Sequence, residues 1–260
     1  MPTKPAFLST HVYGALLVFM ASILFSTKAV IVKLAYQYDV DSISLLALRM
    51  SFALPVFLWI GIAQFRQKPE VRPTLQKHWW KVVLLGATGY YLASLLDFLG
   101  LQYVTASLER VILFTYPTIV LIMSAVFFKK KVLPRQIAAL TITYIGISIA
   151  FWDSLGDDSQ VDLMRGAALI FGAAFCFAIY VVGSGELLKS VGTRTYNSLA
   201  MSSAAISVLV HHWLTNGLLL SGFHPMVYTY AILIALIATC LLYTSPSPRD
   251  RTRSRMPSSA

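Results

Sequence analysis

The stretch Gly100–Gly146 decides how the rest of the chain is read. It begins GLQYVTASLER (100–110), passes through FTYPT (114–118) and closes an apolar run on Lys129, Lys130 and Lys131. A second apolar run follows from Pro134. An acid and a base, Glu109 and Arg110, stand at the head of the first run, and Pro117 sits in its middle. A water-soluble domain has little use for that order. In a membrane-spanning helix the lysines anchor one end in water, and polar groups inside the run need a functional or structural reason.

Composition extends this reading to the whole chain. Of 260 residues, 57% are hydrophobic and 12% charged, with mean hydropathy +0.69. An ordinary soluble domain carries about 25% charged residues. The apolar runs are close to the roughly 20 residues that cross a bilayer and are too long and unbroken for barrel strands. The fold class is therefore all-α, a polytopic membrane protein, with the lipid bilayer as its first partner. Eight segments are expected, at about 14–35, 43–63, 82–100, 106–127, 135–152, 166–184, 195–214 and 226–242. The first run is long enough to stay as a membrane anchor rather than be cleaved as a signal peptide.

Charge in the connections sets the expected orientation. Arg66, Lys68, Arg72, Lys77 and Lys81 join segments 2 and 3; Lys129 to Lys131 and Arg135 join 4 and 5; Lys189 and Arg194 join 6 and 7. The alternate connections are acidic or nearly uncharged, with Asp39 and Asp41 in the first and Asp153, Asp157, Asp158 and Asp162 in the fifth. The alternation predicts a cytoplasmic N-terminus. The net charge is +10, but most basic residues sit in these short loops, so no nucleic-acid partner is expected.

A repeat is also legible. With Gly14 set against Gly166, the pairs Ala15/Ala167, Leu17/Leu169, Phe19/Phe171, Ala21/Ala173, Phe25/Phe177 and Val30/Val182 fall into register. Five segments separate the two copies, and an odd number of crossings inverts the second. Inverted repeats build alternating-access carriers with the solute held near the midplane. The expected organisation is a first repeat at 1–152 and an incomplete second repeat at 153–239. An abrupt change to Ser, Pro and Arg marks 240–260 as a non-native or disordered basic tail. A five-plus-five architecture has ten helices, so about eight are expected here.

Several motifs resemble the drug/metabolite transporter superfamily of EamA type. They are FSTKAVIVKLA (25–35), LLALRM (45–50), GLQYVTAS (100–107), FTYPT (114–118) and YIGI (144–147), and their order carries the resemblance. The likeness spans about residues 14–239. Lys129 to Lys131 stand where the family commonly has a glutamate after its fourth helix. The resemblance implies ten helices in two inverted halves and movement of small organic solutes, often outward, across a bacterial inner membrane.

Ionisable residues inside a membrane cost roughly 2.5–3.5 kcal/mol each on insertion scales. Lys28, Arg49, Asp97, Glu109 and Arg110 all fall in the outer half of their segments, with Lys33 nearer an interface. They suggest a polar vestibule, more basic than acidic, for carboxylate-bearing or zwitterionic solutes such as amino acids. Lys28 is the substrate-facing base, and Asp97 or Glu109 the proton-responsive acid. Arg49 and Arg110 complete the ion-pair candidates. The competing reading makes Arg49–Asp97 and Lys28–Glu109 structural pairs, or lets groups near helix ends reach water.

Helical spacing adds Tyr90 and Ser94 on the face of Asp97, Tyr116 with Leu113 on the face of Glu109, and Tyr180 at the repeat position of Lys28. Pro55 and Pro117 are expected to kink their helices. His211 and His212 point about 100° apart and form no chelate. There is no phosphate-binding loop, nucleophile elbow or metal-ligand pairing, and Cys176 and Cys240 have no redox spacing. No enzyme activity, cofactor or metal is expected. A sugar-phosphate or nucleotide-sugar carrier, and a membrane enzyme or sensor, are the alternatives. The oligomeric state is open, a homodimer included.

Overall fold

A computed structural model describes residues 27–129, 131–152, 162–217 and 220–241, together with residue 23. The first half of segment 1, the acids Asp153, Asp157 and Asp158, and the tail from 242 lie outside the described residues, as does most of the repeat register in 14–30.

The described chain is helical. The first helix, α1, covers 27–36. Asp41 then accepts from the backbone N–H of Ser44 at 3.0 Å and caps α2, Ser42–Gln67. A short 3-10 turn, Pro69–Val71, leads into α3, Arg72–Gly86, which is kinked at His78 (φ −120°, ψ 15°). The helix continues through a π-helical stretch, Ala87–Leu92, into α4, Ala93–Gly100. Thr105 caps α5, Ala106–Leu113, and α6 is Tyr116–Phe128. Then come α7, Pro134–Trp152; α8, Leu163–Val191; α9, Thr193–Asn216; and α10, Pro225–Leu233, which runs on as a π-helical stretch, Ile234–Leu241.

Four helices among the described residues are long and apolar enough to cross a membrane: Ser42–Gln67, Pro69–Gly100, Ala106–Phe128 and Leu163–Gly185. Their outer faces carry large apolar side chains in the open, such as Trp59 and Ile122. Helices satisfy their own backbone groups, so such faces are stable against lipid and not against water. The protein is an all-α, polytopic integral membrane protein.

The prolines behave differently. Pro117 lacks the N–H that would reach the carbonyl of Leu113, and its ring crowds that carbonyl. Segment 4 accordingly breaks at Phe114–Thr115, and Pro117 starts the new helix. Pro55 sits inside α2, which runs uninterrupted through it, so the expected kink yields no break there.

The core forms where α2 lies along α9 and where the helix 69–100 packs on both α8 and α9. Small residues allow this closeness: Ala200, Ala204 and Ala205 of α9 are fully buried. At Gly86 a Cβ would stand 2.5 Å from the carbonyl oxygen of Ala200, so only glycine fits that crossing. α5 and α6 lean on α8, α7 on α5, and α10 with its π-helical extension on α2.

Candidate functional site

A cavity of about 60 Å³ lies between α1, α2, the helix 69–100, segment 4 and α8. Its polar lining consists of Lys28, Arg49, Tyr90, Ser94, Asp97 and Tyr116, all singled out from sequence. The π-helical stretch ends just below Ser94, and such insertions re-aim the side chains that follow them.

At the centre, Lys28 Nζ pairs with Asp97 Oδ2, and both residues are buried. Asp97 stands in the last turn of α4, where the helix dipole disfavours a negative charge, so the lysine also offsets that penalty. The ring of Phe98, fully buried, lies 5.8 Å from Lys28 Nζ and 5.6 Å from the Arg49 guanidinium carbon. Both bases thus lie over the ring within cation–π range. The Phe98 carbonyl accepts from the Tyr36 hydroxyl at 2.7 Å and the Ser42 hydroxyl at 3.1 Å, tying α4 to the α1–α2 connection.

Glu109 is fully buried at the first turn of α5, and Arg110 Nε lies 2.7 Å from its Oε2, an ion pair without hydrogen-bond alignment. Its carboxylate is also in electrostatic reach of Asp97 and Lys28. The pairing differs from the one read in sequence: Lys28 pairs with Asp97 and Glu109 with Arg110. Glu109 and Arg110 do not line the cavity, although Leu113 and Tyr116 beyond them do.

Tyr180 stands beside the cavity rather than in its lining. Its hydroxyl donates to Asn197 Oδ1 at 3.2 Å and so accepts from the Tyr90 hydroxyl at 2.8 Å. Tyr116, Phe177 and Tyr180 form an aromatic wall, with centroids 5.1 Å apart for the first pair and 5.8 Å for the second. At Gly89 a Cβ would fall 2.2 Å from Tyr180 Cβ, so glycine is what admits that ring.

Sequence reasoning did not give Gly89, Phe98 or Asn197 a role. Asn197 carried a signal, being an amide inside a membrane-length segment; Phe98 and Gly89 carried none apart from their neighbours. Lys33 is half-buried beside an open groove with Tyr36, Gln37, Asp39 and Gln102. His211 Nδ1 meets the Tyr91 hydroxyl and His212 Nε2 the Ser44 hydroxyl, each at 3.1 Å, so the two imidazoles serve different helices. Among the described residues no three His, Cys, Asp or Glu side chains are grouped to hold a metal.

Comparison with known proteins gives this arrangement its context. The family profile described as EamA-like transporter family matches residues 12–152. An uncharacterized transporter of Bacillus subtilis (strain 168), YcbK, is 26% identical over 198 residues, covering 76% of this chain and 62% of that protein. An uncharacterized transporter of Archaeoglobus fulgidus is 26% identical over 175 residues, covering 66% of this chain and 59% of that protein. The chain thus spans about three fifths of the length of these relatives. A solved crystal structure with 16% identity superposes with a TM-score of 0.63, covering 89% of this chain and 77% of that one, which is a likeness of fold. The chain belongs to the EamA-like transporter family.

Proposed function

We propose that this protein is a secondary transporter, working as an exporter, that moves small organic metabolites by alternating access between an inverted repeat at 1–152 and its partner at 153–239. Amino acids and related carboxylate-bearing or zwitterionic solutes are the substrate class. The observation that carries the reading is the buried Lys28–Asp97 pair inside a cavity lined from both halves of the chain. Three cations, Lys28, Arg49 and Arg110, stand against two carboxylates, so with all five ionised the cluster has one net positive charge. That balance suits a monoanionic or zwitterionic head. The aromatic wall of Tyr116 and Phe177 suits an apolar body.

The packing supports two inverted halves. Segment 2 meets segment 7, its counterpart, along most of its length. The helix 69–100 touches α9, and its counterpart, α10 with the stretch beyond it, touches α2. A pseudo-two-fold relation requires this reciprocity. The basic connections support an N-terminus in the cytoplasm of a bacterial inner membrane.

Lys28 is assigned to the solute's carboxylate and Asp97 to exchange between Lys28 and a proton, with Glu109 held in reserve by Arg110. Tyr90, Ser94 and Tyr116 are assigned to hydrogen bonds with the solute. Flux into proteoliposomes of labelled amino acids, sugar phosphates and amphiphilic cations tests the reading. Flux of the first class is expected, with a loss of about tenfold or more in Lys28→Ala at unchanged folding. Flux of sugar phosphates alone would replace the substrate class, and no flux in any class would sink the transporter reading.

A further inference from the structure

We propose that Tyr180 is the inner gate of this transporter: its ring and the hydrogen-bonded chain Tyr90–Tyr180–Asn197 form the floor that separates the cavity from the side of the basic loops. The inference rests on the alternating-access reading above and assigns that reading's gate.

The position follows from the helices. Along α8 the cavity is reached at Ala173 and Phe177. Tyr180 comes one turn later, and the α8–α9 turn at Gly192 is twelve residues beyond it, about 18 Å at 1.5 Å per residue. That places Tyr180 near the middle of a hydrocarbon layer roughly 30 Å thick. Asn197 sits on the first turns of α9, and Tyr90 on the helix 69–100, so the hydroxyl chain ties three helices together.

Below that level α8 and α9 are packed closely on the helix 69–100. Tyr196 is fully buried, with its ring centroid 6.0 Å from that of Tyr180. A Cβ at Gly86 would strike the Ala200 carbonyl, and one at Gly183 would lie 2.7 Å from Leu85 Cδ2. Above it lies the cavity, whose Lys28, Arg49 and Asp97 are themselves buried. The closed side has two groups that a permanent seal would not choose. The Tyr196 hydroxyl and Thr195 Oγ1 are buried without a hydrogen-bond partner among the described residues. Buried hydroxyls left in this state are disfavoured, and an opening that brings water to them relieves it. The closed floor is therefore poised to open.

A route for that opening is present. Gly183, Ser184 and Gly185 follow Tyr180 after Val181 and Val182, and Gly/Ser pairs are where helices bend. A bend there moves the lower part of α8 away from Leu85, breaks the Tyr180–Asn197 bond and admits water to Thr195 and Tyr196. The aromatic ring, not an ion pair, does the closing. The hydroxyl chain holds the ring in place.

The test uses the full chain in membrane vesicles, with Cys176 and Cys240 replaced by serine and one reporter thiol added. Ser94→Cys reports on the cavity and Thr195→Cys on the sealed side. The probe is a charged, membrane-impermeant methanethiosulfonate applied to either face. Ser94→Cys is expected to react from the face opposite the basic loops. Thr195→Cys is expected to react about tenfold more slowly, and Tyr180→Ala to raise its rate about tenfold from the basic-loop face. Asn197→Ala, which removes the hydroxyl's acceptor and leaves the ring intact, is expected to raise it by a smaller factor and covers the case in which Tyr180→Ala fails to fold. An unchanged Thr195→Cys rate in both variants, with Ser94→Cys still reactive, overturns the gate alone. A Ser94→Cys thiol that reacts from neither face overturns the cavity reading beneath it.

Discussion

At the residue scale the protein is governed by the cost of burying charge. Lys28 and Asp97 are 69 positions apart, and each is acceptable in the interior because of the other. Removing one partner of a buried pair costs about 3–5 kcal/mol, whereas replacing both by apolar residues is often near neutral. Lys28→Met is therefore expected to lower the unfolding temperature in detergent markedly, and Lys28→Met with Asp97→Leu to recover most of the loss. A double variant no more stable than the single one would separate the pair energetically. The apolar runs made Lys28, Arg49, Asp97, Glu109 and Arg110 conspicuous in sequence, because a charge in such a run is rare. Which acid met which base was not legible. That depends on the rotation of α1 against α4 and on Arg110 turning back on its neighbour.

At the element scale the crossings are set by glycine and by caps. A methyl group at Gly89 would collide with Tyr180 Cβ, while at Gly146 nothing lies within 4 Å. Overpacking costs about 1–3 kcal/mol, so Gly89→Ala is expected to destabilise by that order and Gly146→Ala to be neutral or slightly stabilising, read from paired thermal melts.

Asp41 offers a pH-dependent contrast. Burial pushes its carboxyl up, but donation from the Ser44 side chain and backbone and from Asn216 outweighs burial and holds it below its usual range. A depressed acid contributes stability that is full above its unfolded value of about 4 and is lost as pH falls through the folded value. Asp41→Ala is expected to cost about 1 kcal/mol at neutral pH, with the two proteins converging in acid. An undiminished difference well below pH 3 would show that the cap does not act through its charge. Pro117 announced the break in segment 4. The π-helical stretch 87–92 has no sequence signature, since one extra residue per turn is settled by what packs against it.

At the scale of the whole molecule, orientation and packing order are separate matters. The basic connections predict that Lys131→Cys reacts with an impermeant thiol reagent only from the cytoplasmic face, and Gln102→Cys, exposed in the connection before α5, only from the opposite face. Labelling of both from one face would overturn the inverted arrangement. The order of helices in space is a different kind of fact. That α9 lies along α2, and α8 along the helix 69–100, follows from small residues on both partners meeting at a common depth.

Sequence by itself determined the class, the helical character of the described segments and the residues for which burial is costly. Each of these depends on local composition: a run of apolar residues long enough to cross lipid, or a charge inside one. Tertiary structure alone decided that Lys28 meets Asp97, that Glu109 turns to Arg110, and that the Tyr180 hydroxyl is held between Tyr90 and Asn197. The Lys28–Asp97 and Tyr90–Tyr180 contacts join positions 69 and 90 residues apart, and they depend on how closely glycine and alanine let the helices approach. The stretch 100–146 states the membrane; the fit of α8 against Gly89 states how closely two of its helices approach.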